Sequence, residues 1–227
     1  AWANNLIVNV EDASHLVEAI ISHPCIDTIR LVNCFGENID AYSVLRSLLA
    51  SNKGFVGILF DSNSIQTGGG TEIPDFLATN PPLSQLVLET NHLDDNDAVL
   101  ISCALKRNTN LQLLHLGQND ITDVGRDALC NAVFESTSLN SLADSNHSCW
   151  IDGIGLDGDI FYNPCEESKV NRGRKIYSLL SSRNREGVNV QHLDSEFGED
   201  DSLKFVPKVL ESVNTYAGYM PPPRAAV

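Results

Sequence analysis

"LQLLHLGQNDITDVG", Leu111 to Gly125, packs His115, Asn119, Asp120 and Asp123 beside glycines, a composition that suits a metal loop or half of an acid/base site. Its phase within the chain gives a different answer. From Leu111, apolar residues fall at offsets 0, 3, 5 and 10 with asparagine at offset 8: Leu111, Leu114, Leu116, Ile121 and Asn119. Moving back 28 residues gives Leu83, Leu86, Leu88, Leu93 and Asn91, and a further 28 gives Phe55, Ile58, Phe60, Ile65 and Asn63. Another 29 back are Ile26, Ile29 and Leu31, with Cys34 in the asparagine slot. Four units in register make a repeat. Forward of Leu111, Leu139 and Leu142 open a fifth unit, but Asp144 replaces its third apolar residue and Asn146 comes one place early, so the pattern degrades.

Each unit has a physical reading. Alternation such as Leu114-x-Leu116 makes a short strand with one buried face. An asparagine amide can satisfy backbone groups where the chain turns inward, and a small cysteine tolerates the same buried slot. The second half of each unit has helical spacing: Ala128, Leu129, Ala132 and Val133 share one face, as do Leu100, Ile101, Ala104 and Leu105. Asp123 and Asp95 are the expected helix N-caps. In the second unit Thr71 is the expected cap, with Pro74 in the first turn and Ile73, Phe76 and Leu77 facing inward. A helix from Ser14 to Ser22 is expected to follow a strand at Leu6 to Val10. No such unit can bury its apolar face alone, so the units must stack.

The pattern L-x-x-L-x-L-x-x-N/C-x-L resembles the leucine-rich repeat family, and its 28 to 29 residue period resembles the ribonuclease-inhibitor-like class, over Leu16 to Trp150. The resemblance implies an α/β solenoid with a curved parallel sheet on the concave side and helices on the convex side. Residues 1–150 would form it, with units near 26–54, 55–82, 83–110 and 111–138 and a degraded stretch at 139–150. Residues 151–227 lose the period and are expected to form a mainly helical C-terminal cap and a flexible tail. Within that region 150–164 reads as loop, 171–182 as a helix and 202–218 as a helix starting or bending at Pro207.

Alternation also says which side chains a solenoid leaves on its concave face. At offset 2 these are Thr28, Gly57, Gln85, Leu113 and Ser141. At offset 4 they are Arg30, Leu59, Val87 and His115, and at offset 6 Val32, Asp61, Glu89 and Gly117. Leu59, Val87 and Leu113 are expected to form an exposed apolar stripe edged by Asp61 and Glu89. Such a face suits a protein partner, although scattered apolar residues on an open sheet are also ordinary. The candidate partner-binding residues are therefore Arg30, Val32, Leu59, Asp61, Gln85, Val87, Glu89, Leu113 and His115.

Composition bounds the partners. With 15 Lys plus Arg against 30 Asp plus Glu, the net charge of −15 disfavours nucleic acid and anionic membrane and favours basic partners. There is no run of 18 apolar residues and no signal-peptide pattern at the start. The repeat is already in progress near Ala1, which points to a piece of a longer protein. Six dispersed cysteines read as reduced thiols of an intracellular, cytoplasmic protein.

Sequence chemistry points away from catalysis. H-E-x-x-H, G-x-S-x-G, a phosphate loop ending in Gly-Lys-Ser/Thr, G-x-G-x-x-G after a strand and paired C-x-x-C are all missing from the chain. Gly68 to Thr71 could hold an anion at a helix start but lacks the following lysine. Asp152, Asp157 and Asp159 fail as a calcium loop, because Phe161 and Tyr162 fall where an oxygen ligand and the glycine belong. His147, Cys149, Cys165 and His192 are zinc-ligand types at spacings that match no finger. No cofactor is expected. Lys169, Arg172, Arg174, Lys175, Arg183 and Arg185 form a basic cluster, read either as a contact for an acidic partner or, more commonly, as a solvated helix flank. The expected function is a monomeric, non-enzymatic protein-binding scaffold. The alternatives are a Ran-type activator of a small GTPase, whose family shares the repeat class and acidic balance, and a sensor module of a larger receptor.

Overall fold

The computed structural model describes residues 1–153, 163, 167–188, 191–193 and 195. Helices and parallel strands alternate: β1 Trp2–Ala3, α1 Val10–Ser22, β2 Thr28–Val32, α2 Ala41–Ala50, β3 Gly57–Leu59, α3 Glu72–Ala78, β4 Gln85–Val87, α4 Asp95–Leu105, β5 Leu113–His115, α5 Asp123–Val133, α6 Leu139–Ala143, β6 Trp150–Asp152 and α7 Ser168–Arg185. The strands form one six-stranded sheet in sequence order, β1-β2-β3-β4-β5-β6. This α/β arrangement is compatible with a solenoid. The expected helix at 202–218 lies outside the described residues.

Register follows the sequence period. Thr28 pairs with Gly57, Gly57 with Gln85, and Gln85 with Leu113, steps of 29, 28 and 28 residues. Ile29, Ile58, Leu86, Leu114 and Ile151 become one buried row across β2 to β6. Each such side chain contributes about 1.5–3 kcal/mol on burial, which outweighs the weak intrinsic helicity of short elements like the seven-residue α3.

The asparagines bind turn to turn. Asn63 accepts from the Cys34 amide at 2.9 Å and donates to the Leu31 carbonyl at 2.7 Å. Asn91 accepts from the amides of Asn63 and Ile65 and donates to the Phe60 carbonyl at 3.1 Å. Asn119 accepts from the Leu93 amide and donates to the Leu88 carbonyl at 2.9 Å. Cys34 keeps only the donor half of this role, its thiol donating to the Trp2 carbonyl at 3.1 Å. A second series sits at the helix-to-strand turns. Asn80 accepts from the amides of Thr109 and Asn110, and Asn108 donates to the Leu77 carbonyl at 2.8 Å and accepts from the Leu111 amide.

Several elements differ from the sequence reading. The first strand is Trp2–Ala3, paired with Leu31 and Val32, and Leu6 to Val10 contributes only a bridge from Ile7 to Phe35 before α1 begins. The N-cap of α4 is Asp94, not Asp95, and that of α5 is Thr122, not Asp123. Thr71 precedes α3 but makes no capping bond, its hydroxyl donating to Asp75 instead. Leu139 and Leu142 belong to a helix, α6, because their three-residue spacing also fits a helical turn and Ser138 caps it. The next strand comes at Trp150, paired with Leu113 after a step of 37 residues. Asn146 then fills the helix-to-strand slot, donating to the carbonyls of Leu105 and Asn108 and accepting from the amides of Ser148 and Cys149.

The helix expected at 171–182 runs from Ser168 to Arg185. Ile176, Leu179 and Leu180 of α7 pack with Leu139 and Leu142 in a second small core. Lys175 is fully buried, its ammonium donating to the carbonyls of Val133 at 2.6 Å and Asn146 at 3.0 Å. Arg183 is buried too and donates to the carbonyls of Ser136 and Thr137. Two of the six clustered basic residues therefore tie α7 to the end of α5 and to the turns on either side of α6 instead of forming a solvated flank.

Candidate interaction face

The sheet has one face turned to the helices and one open. Parallel pairing places the open-face residues in rows across the strands. Thr28, Gly57, Gln85, Leu113 and Trp150 form the first row, and Arg30, Leu59, Val87, His115 and Asp152 the second. The third row, Val32, Asp61, Glu89 and Gly117, continues the ladder: the amides of Asn33, Ser62 and Thr90 donate to the carbonyls of Asp61, Glu89 and Gly117 at 2.8–3.0 Å. All nine sequence-derived candidates fall in these rows. Ser141 does not, since it lies in α6.

Exposure is uneven. Val87 is only 7% exposed, so the expected exposed stripe is interrupted. Its central strand puts neighbours on both sides, Leu59 and His115. Leu59, Leu113, Gln85, Asp61, Glu89, Val32 and His115 are half-buried, and Arg30 is exposed. Gly57 leaves a step: a Cβ there would stand 2.9 Å from Thr28 Cγ2.

The sequence reading missed Trp150 and Asp152, which it placed in a loop. Strand β6 sets Trp150, 37% exposed, beside Leu113, and Asp152 beside His115. A signal existed: Asn52, Asn80, Asn108 and Asn146 each precede a buried residue by three positions, Phe55, Leu83, Leu111 and Cys149.

His115 sits among carboxylates. Its Nδ1 is 3.6 Å from Glu89 Oε2 and its Nε2 is 3.8 Å from Asp152 Oδ2. Both are too long for hydrogen bonds, so proximity of charge and packing place the ring. It lies against two glycines. A Cβ on Gly153, whose φ is +81°, would stand 2.5 Å from Gly117 Cα and 2.7 Å from His115 Cδ2. Burial, and then the charge of Glu89, raise the Asp61 carboxyl above the ordinary carboxylate value, against weaker opposing effects of Arg30 and His115. Asp61 Oδ1 is buried and has no hydrogen-bond partner.

Other candidate chemistry is placed elsewhere or lies outside the described residues. Gly68 and Gly69 form a left-handed turn, in which Thr67 accepts from the Gly69 amide and donates to Asp97 at 2.6 Å. His147 is buried, and its imidazole is held down to about 3, first by burial and then by the charge of Lys175. Cys165, Asp157 and Asp159 are not among the described residues. No group of three or more His, Cys, Asp or Glu among the described residues could hold a metal ion. Of the described cysteines, Cys25, Cys34, Cys103, Cys130 and Cys149 are free thiols. No described helix is long and apolar enough to cross a membrane.

Fold and face define an α/β protein with one parallel sheet, its strands alternating with helices and one sheet face open. The sequence matches no protein-family model and no curated protein.

Proposed function

We propose that the chain is a leucine-rich repeat solenoid of the ribonuclease-inhibitor-like class, a scaffold that binds a partner protein on its open, concave sheet face. Shared register of repeat and strand supports the repeat assignment, since the offsets that recur in sequence are the positions that pair. One observation carries the binding assignment. Half-buried Leu59 and Leu113 and exposed Trp150 stand in rows beside Asp61, Glu89 and Asp152, a mixed apolar and charged surface of the kind that protein interfaces use. The reading assigns no catalytic step. No specific contact favours a GTPase regulator or a receptor sensor module over it.

Capture of partners from lysate with the wild-type chain and with a Leu59→Ala/Leu113→Ala variant, read by mass spectrometry, tests the proposal. Val87 is avoided because truncating a buried side chain would also disturb the fold. A true partner should be retained about tenfold less by the double variant. Equal retention by a folded double variant would remove the face from the binding site.

A further inference from the structure

Resting on the binding assignment above, we propose that the partner presents a basic segment, with an arginine or lysine seated over Asp61 and Glu89 and adjoining apolar side chains on Leu59, Leu113 and Trp150. The open face carries three carboxylates, Asp61, Glu89 and Asp152, against the single guanidinium of Arg30. Asp61 and Glu89 occupy the same row just past the ends of the adjacent strands β3 and β4, where neighbouring chains run about 4.8 Å apart and like charges destabilise each other. Arg30 opposes this only through space, without an ion pair to either. Asp61 also keeps one buried oxygen with no donor. A cation placed over the pair would relieve the repulsion and offset the charge of the under-satisfied Asp61 carboxylate.

The neighbouring rows set the rest of the segment. An arginine or lysine stem is apolar and can lie along Leu59 while its head reaches the carboxylates. Trp150 offers an indole face at the β6 end of the first row, a surface that also favours cations and apolar groups. Crossing β2 to β6 spans about 19 Å, which about six extended residues cover. A phosphate backbone would meet the same carboxylates with repulsion.

Two synthetic peptides about eight residues long test this, one alternating arginine with leucine and one alternating glutamate with leucine, each titrated into methyl-labelled protein. The arginine peptide should shift the Leu59, Val87 and Leu113 methyl resonances, bind more weakly as salt rises, and lose about tenfold in affinity to an Asp61→Asn/Glu89→Gln variant. Equal binding of both peptides, shifts confined to other surfaces, no response to either peptide, or indifference to the double substitution would overturn the proposal. A natural partner still lost on Leu59→Ala/Leu113→Ala would then leave the binding face standing and remove only its basic specificity. Retention of that partner would remove the face itself.

Discussion

Asp95 and Thr122 join two successive turns of the chain: the carboxylate of Asp95 accepts from the Thr122 amide at 2.8 Å and from its hydroxyl at 2.6 Å. A third bond arrives from the Gly125 amide at 3.0 Å. Asp95 thus serves the first turn of the helix after its own, while Asp94 caps its own helix. These bonds hold its carboxyl below the ordinary value of 3.8, the Thr122 hydroxyl contributing most. A depressed carboxyl stabilises the fold above its unfolded value and loses that contribution as pH falls through its folded value. Asp95→Ala should therefore lower the thermal midpoint at pH 7, and the gap from wild type should close in acid below about pH 3.8. A midpoint gap that persisted unchanged at pH 2 would assign the effect to packing instead.

Removing one ladder amide should cost more than removing a surface polar group. Asn91→Ala leaves the amides of Asn63 and Ile65 and the carbonyl of Phe60 without their buried partner. At about 1 kcal/mol or more for each stranded group, the loss should be about 3 kcal/mol in urea unfolding. Asn91→Cys should be milder, because Cys34 already occupies the equivalent slot.

Lys175 gives the stability curve an alkaline slope. Burial lowers its ammonium from 10.5 to about 7. Between those values the folded amine is neutral while the unfolded one still binds a proton, so raising the pH favours the fold. This one group should add stability at up to roughly 1.4 kcal/mol per pH unit over that window. Lys175→Met should flatten the slope in chemical denaturation between pH 7 and pH 10.5. A slope unchanged by the substitution would mean that the ammonium keeps its proton when buried.

His147 produces the matching slope in acid. Its imidazole is lowered from 6.5 to about 3, chiefly by burial, so the unfolded chain takes up a proton that the folded one refuses. Stability from this group is complete above pH 6.5 and falls as the pH drops towards 3. His147→Gln should lessen the fall over that interval, measured by thermal unfolding at several pH values.

Gly153→Ala should disturb the open face by crowding the Gly117 backbone and the His115 ring. The added Cβ would stand 2.5 Å from the Gly117 backbone at a φ of +81°, a strain of about 1–3 kcal/mol even before the clash is counted. The His115 ring resonances should move, and urea unfolding should show a loss of at least that size. Gly68→Ala, with nothing within 4 Å of its Cβ, is the control for the backbone effect alone.

Much of this architecture was legible because residues recur in phase. Ile58, Leu86 and Leu114 share an offset and become register partners, and Asn63, Asn91 and Asn119 share another and make equivalent bonds. What escaped was ambiguous on physical grounds. Leu139 and Leu142 are three apart, a spacing common to the repeat and to any helix, and only Asp144 in the next apolar slot and the early Asn146 argued against a strand. Trp2–Ala3 is too short for alternation to register. Asp95 and Asp94 are equally good caps by type, and Asp94 takes the role through a reciprocal capping box with Asp97, which leaves Asp95 to Thr122, 27 residues on. Lys175 looks like surface charge because its two carbonyl acceptors, at Val133 and Asn146, come from distant parts of the chain. Val87 was expected to be exposed because alternation reports a side chain's face and not how closely its neighbours stand.

The stretch between α5 and β6 separates two quantities that usually travel together. Asn108 and Asn146 are 38 residues apart where Asn80 and Asn108 are 28 apart, yet β6 still pairs in parallel alongside β5. Asn146 still reaches the carbonyls of Leu105 and Asn108 across that longer step, so the extra contour is taken up on the helical side. The α5 to β6 connection thus admits an additional helix, α6, while β5 and β6 remain neighbours.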